Sequence, residues 1–155
     1  MSGQPMEPSP NSIKAVVLFT DGGARGNPGL AGGGVVILTP EGRVLIRKAI
    51  YLGHVTNNMA EYLALLSGLE AVASLSPEQV SIRLDSELIV RQLNGQYKVR
   101  SADLAPLYRR ALEFIRVFVK VDIAHIRREQ NEEADRLANL AMDTGKDHLE
   151  SFLTL

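Results

Sequence analysis

Apolar positions along the 155-residue chain change period several times. Residues 13–20 ("IKAVVLFT"), 31–39 ("AGGGVVILT") and 42–53 ("GRVLIRKAIYLG") read as strands. Between the last two, "TPEG" places Pro40 and Gly42 where a hairpin turn uses them. Residues 59–75 then switch to helical spacing, with Tyr62, Leu66, Leu69 and Ala73 on one stripe and Leu63 beside it. "VSIRLD" is a further short strand, and "SELIVRQLNG" a short helix closed by Asn94 and Gly95. "LAPLYRRALEFIRVF" is a third helix, and "KVDIAHIRR" alternates as a strand. "NEEADRLANLAM" closes the series as a helix with Ala134, Leu137, Ala138 and Ala141 on its buried stripe. The predicted order is β-β-β-α-β-α-α-β-α, without internal repeats. Helix crossovers after the third and fourth strands require parallel neighbours, so the fold class is α/β, with a mixed sheet and helices on its faces.

The ends differ from this core. Residues 1–12 are rich in Pro, Ser and Gly and predict a disordered leader, residues 13–142 one domain, and residues 143–155 a C-terminal tail set off by Gly145. Hydrophobic residues make up 45% of the chain, enough for one core. A net charge of −1 and a pI near 6.3 give no global basic field, so a nucleic-acid partner needs local contacts. Without cysteine, disulfides, thiolate nucleophiles and sulfur-based zinc sites are excluded. No apolar run approaches the roughly 20 residues that cross a bilayer, and a cytoplasmic monomer is the default expectation.

The segment "TDGGARGNPG", residues 20–29, follows a buried strand. A Walker-type phosphate loop needs a Gly-Lys-Ser/Thr that this segment lacks, and a dinucleotide fingerprint needs a helix next. Here the glycines lead into the strand "VVIL". What distinguishes the segment from a plain turn is Asp21. Three other acids stand at comparable places: Glu61 in the first turn of the first helix, Asp85 at the end of "SIRLD", and Asp135 near the start of the last helix. Each has a local explanation: a capping box from Asn58 to Glu61, a cap from Asp85, a helix-dipole charge at Asp135. In a mixed sheet, however, the ends of central strands and the first turns of crossover helices converge on one edge. Four carboxylates meeting there require cations, and oxygen-only ligands point to Mg²⁺ or Mn²⁺.

"TDGGARGNPGLAGGG", "TNNMAEYLALLSGL", "DSELIVRQLNG" and "NEEADRLANLA", in this order and spacing, resemble the type 1 ribonuclease H family, in particular its compact prokaryotic members. The resemblance implies a five-stranded mixed sheet, three antiparallel strands followed by two parallel ones, flanked by helices. It implies an endonuclease that hydrolyses the RNA strand of RNA/DNA hybrids, leaving 5′-phosphate and 3′-hydroxyl ends. The family's metal-binding acids fall on Asp21, Glu61, Asp85 and Asp135, which would hold two Mg²⁺ or Mn²⁺ ions, with Asp21 shared. The main chain of Gly22, Gly23 and Ala24 and the side chain of Asn27 would approach RNA sugars. Thr56 would take a DNA phosphate, with Asn57 and Asn58 reaching the minor groove. Alternatives are a hybrid-binding module without catalysis and a related two-metal nuclease acting on another duplex.

Three positions depart from the family pattern. Glu87 stands where the family often has Gln. Where many members carry a long basic insertion, "NGQYKVRSADLAPL" is short, with Lys98 and Arg100 its only cations. Fewer neutralised phosphates predict weaker hybrid binding. His125 aligns with a mobile histidine of the family, but the alternation of Ile123, His125 and Arg127 places it inside a strand, leaving Arg127 or Arg128 to serve near the scissile phosphate.

Overall fold

The computed structural model describes residues 13–153; the leader expected over residues 1–12 lies outside them. Its strands are β1 (Ala15–Gly26), β2 (Gly29–Leu38), β3 (Val44–Val55), β4 (Gln79–Leu84), β5 (Lys120–His125) and β6 (His148–Ser151). The helices are α1 (Asn57–Leu75), α2 (Glu87–Leu93), α3 (Ala105–Val117) and α4 (Glu132–Thr144), with a short 3-10 turn at Arg128–Gln130. The sheet order is β5-β4-β1-β2-β3-β6. β1, β2 and β3 are antiparallel neighbours, while β4 and β5 run parallel to β1.

Each face of this sheet has its own packing. Leu18, Val35, Ile37, Tyr62, Leu65, Leu69 and Ile82 belong to the larger core, which α1, α2 and α3 cover. α1 is buried around most of its circumference because it lies between the sheet and α3. Ala73, expected on its buried stripe, and Leu63, expected beside it, are only half-buried, whereas Ala64, Leu65 and Val72 are fully enclosed. On the opposite face α4 buries Ala134, Leu137, Ala138 and Ala141, as its spacing predicts, against Val36 and Ala49.

Two expectations about the chain's path are corrected. The glycine segment is not a loop: β1 continues to Gly26 and pairs with β2 residue by residue down to Gly26 and Gly29, so only Asn27 and Pro28 turn. Glycines hide the alternation that marks a strand, but their main chains pair like any others. The expected tail from residue 143 is also structured. Asp143 and Thr144 complete α4, Gly145 ends it in a left-handed conformation (φ 66°), and β6 adds a sixth strand antiparallel to β3. β6 is short and mostly exposed, with Leu149 67% accessible, so no apolar pattern announces it.

Candidate metal centre

The site begins where two strands separate. The parallel ladder between β1 and β4 ends at the pair Thr20 and Leu84, and the next residue of the chain after each is an acid, Asp21 and Asp85. Asp21 stays paired with Gly34 of β2. Directly opposed residues of an antiparallel pair point to the same face, and a Cβ on Gly34 would overlap the Ala134 carbonyl of α4. Asp21 therefore faces α4, and Asp135, one residue beyond Ala134, shares a hydrogen bond with it. On the other face a Cβ on Gly22 would overlap the Ala60 carbonyl of α1. Glu61 follows Ala60, accepts a hydrogen bond from the Gly22 N–H and meets the Asp21 carboxyl. Missing side chains on opposite faces thus let two helices deliver their acids to one strand residue.

Asp21, Glu61 and Asp85 each offer a carboxylate oxygen within 4.8 Å of the others. Asp135 is exposed and joins them through its contact with Asp21. Burial pushes the Asp21 carboxyl up to about 8, helped by the Asp85 charge and by the hydrogen bond and charge of Asp135, against a smaller opposing hydrogen bond from Glu61. Glu61 is likewise held well above the usual carboxylate range, first by burial, then by the charges of Asp21 and Asp85; the Gly22 amide opposes this. The cluster concentrates negative charge beyond what its own hydrogen bonds compensate, a donor set suited to a hard divalent cation.

The capping explanations for Glu61 and Asp85 do not hold, whereas Asp135 does lie in the first turn of α4. Thr56, not Asn58, caps α1, its hydroxyl accepting from Met59 N at 3.2 Å. Ser86, not Asp85, caps α2, accepting from Ile89 N at 3.4 Å. Both Asp85 and Glu61 are thereby left free of capping duty. Asn131, the N-cap of α4, makes no side-chain capping bond and turns inward instead, donating from Nδ2 to Thr20 O at 2.9 Å. Sequence reasoning passed over it, because an asparagine at a helix start reads as a cap; its position four residues before Asp135 was the available signal.

Beside the acids, the β1–β2 turn is tied to the start of α1. Asn57 Oδ1 accepts from Ala24 N at 2.9 Å, and Asn57 N donates to Asn27 Oδ1 at 3.0 Å. Asn27, Thr56, Asn57 and Asn58 line a hollow of about 450 Å³ together with Ser101 and Asp103. His125 ends β5 opposite Leu84, within the strand as its alternation predicts, with Nε2 3.2 Å from Asp85 O. Arg127 and Arg128 are exposed on the connection to α4 and take part in no ion pair among the described residues. Glu87 pairs with Arg91 one turn along α2, at 2.9 Å.

Comparison with known proteins bears on the same residues. A family model described as reverse transcriptase-like matches residues 19–141, which include all four acids. Ribonuclease HI of Halobacterium salinarum is 38% identical over 144 residues, covering 87% of this chain and 72% of that protein. The chain belongs to the ribonuclease H family. Its fold is the ribonuclease H fold, and its sheet carries a sixth strand at the β3 edge. A ribonuclease H of this type, LC11-RNase H1, solved in complex with an RNA/DNA hybrid, superposes with a TM-score of 0.80 at 41% identity, covering 84% of this chain and 98% of that one. A bifunctional protein of Mycobacterium tuberculosis is 41% identical over 129 residues, 83% of this chain; the ribonuclease H chain described here spans 35% of that protein's length. No described helix is long and apolar enough to cross a membrane.

Proposed function

We propose that this chain is an endoribonuclease that hydrolyses the RNA strand of RNA/DNA hybrids, leaving 5′-phosphate and 3′-hydroxyl ends. The observation that carries the reading is the convergence of Asp21, Glu61 and Asp85 within 4.8 Å, with Asp135 in contact with Asp21. These oxygen-only ligands fit Mg²⁺ or Mn²⁺, and Asp21, which touches both helix-borne acids, would be the ligand common to two ions. Ions bound there supply a lowered pKa for the attacking water and positive charge at the leaving 3′ oxygen.

The neighbouring residues orient the duplex. Gly22 and Ala24 already donate their amides to Glu61 and Asn57, so Gly23, whose Cβ position is open, is the main-chain point of approach to an RNA sugar. Asn27 and Asn57 accept bonds through Oδ1, leaving each Nδ2 to donate to nucleic acid. The Thr56 hydroxyl accepts in the cap and retains its O–H for a DNA phosphate oxygen. Asn58 reaches the minor groove from the exposed start of α1, and Arg127 offers its guanidinium to the scissile phosphate. The enzyme acts as a cytoplasmic monomer.

Asp21→Asn tests the assignment: it should abolish cleavage while hybrid binding stays within about threefold of wild type. Near-normal turnover by this variant in Mg²⁺ or Mn²⁺ contradicts the assignment.

A further inference from the structure

Asn131 is 1% exposed, and its side chain departs from what a helix-capping asparagine does. The preceding 3-10 turn is closed by its own bonds, Gln130 N to Arg127 O at 2.9 Å and Arg127 N to Gln130 Oε1 at 3.0 Å. The Asn131 backbone also serves the helix, its carbonyl accepting from Asp135 N at 3.1 Å. The carboxamide is thereby released from the helix and sits at the split between β1 and β4. Nδ2 donates to Thr20 O at 2.9 Å, and its second hydrogen faces Asp85 Oδ2 at 3.4 Å, at the long edge of hydrogen bonding. Only the nitrogen can face a carbonyl, so the orientation of the amide is determined. Oδ1 remains buried without a partner. A buried polar group held this way costs free energy that packing alone does not explain.

We propose that Asn131 is a positioning residue for the acidic cluster. One carboxamide bridges the last β1 residue paired with β4, the acid that follows β4, and the start of the helix that carries Asp135. It thereby fixes the placement of Asp85 and Asp135 relative to Asp21, which a pair of ions needs. The inference rests on the metal-binding reading of the four acids but not on which duplex is cut.

The test is Mn²⁺ binding by calorimetry to the full chain without nucleic acid, alongside the Mn²⁺ dependence of hybrid cleavage. For Asn131→Ala the dissociation constant for Mn²⁺ should rise about tenfold, as loss of an outer-shell partner does. The Mn²⁺ concentration for half-maximal cleavage should rise in step, with KM for hybrid within twofold. Asn131→Leu, which fills the space but donates nothing, should reproduce the effect and guards against a folding defect in the first variant. Unchanged Mn²⁺ affinity in the folded variants, with only the thermal midpoint lowered, overturns the proposal. Weakened Mn²⁺ binding in the variants of a chain that cuts no hybrid would sustain it and reject the activity instead.

Discussion

Removing the charge from Asp21 should stabilise the metal-free protein at alkaline pH. The Asp21 carboxyl is raised from 3.8 to about 8, chiefly by burial, so between these values the native state holds a proton that the unfolded chain has released. Stability changes with pH in proportion to protons bound unfolded minus protons bound native, so it falls as pH rises from about 4 to about 8. One pH unit across that window corresponds to about 1.4 kcal/mol, so the rise from 3.8 to about 8 bounds the loss at roughly 5–6 kcal/mol. Asparagine leaves the charges of Asp85 and Asp135 in place and is itself buried, so the expected net gain for Asp21→Asn is about 2 kcal/mol. Urea unfolding in EDTA across pH 4 to 9 measures it. The variant should match or fall below wild type at pH 4, cross it, and exceed it by about 2 kcal/mol above pH 8. Millimolar Mg²⁺ or Mn²⁺ should reverse the order, because binding to the native state stabilises wild type by mass action. A variant less stable than wild type at pH 8.5 in EDTA would refute the view that the site stores uncompensated negative charge.

Other perturbations separate the parts of the structure. Gly34→Ala should cost about 3 kcal/mol in urea unfolding, since its Cβ meets the Ala134 carbonyl, whereas Gly23→Ala, with open space at that position, should stay within about 0.5 kcal/mol. Equal effects of the two would contradict the close packing of α4 on β2. Truncation after Gly145 removes β6, the bond from Tyr51 N to Asp147 Oδ1 at 2.8 Å and the Phe152 ring 5.6 Å from the Arg47 guanidinium. It should lower stability by about 2–4 kcal/mol with the acids intact, and an unchanged unfolding midpoint would refute it. With Lys98 and Arg100 the only cations between α2 and α3, hybrid affinity should fall with salt at a log–log slope no steeper than about −4; a slope near −7 would reveal phosphate contacts beyond these.

Much of this centre is visible in the linear chain because its acids occupy topologically marked places. Asp85 ends an apolar run, Asp135 lies in the first turn of one periodic helix and Glu61 just past the first turn of another, and where a sheet is mixed such places share an edge. The helix face of α4 was equally plain, since Ala134, Leu137, Ala138 and Ala141 keep one spacing. What local pattern could not disclose depends on partners far along the chain. β1 runs through the glycines because β2 pairs with them, and Gly22 and Gly34 are required by the carbonyls of Ala60 and Ala134, on helices that no local pattern ties to these strands. The choice of Thr56 over Asn58 as cap of α1 turns on where the chain leaves β3, and the inward turn of Asn131 on a carbonyl 111 residues away. β6 is four residues of mixed polarity that become a strand only because β3 presents a free edge.

The most direct measurement is cleavage of end-labelled RNA/DNA, RNA/RNA and DNA/DNA duplexes by the purified chain with Mg²⁺ or Mn²⁺, beside Asp21→Asn. A hybrid-specific two-metal nuclease makes internal cuts in the RNA strand of the hybrid alone, with 5′-phosphate products, none in EDTA and none by the variant. Hybrid left intact in both metals, or RNA/RNA and DNA/DNA cut as readily as the hybrid, would contradict it.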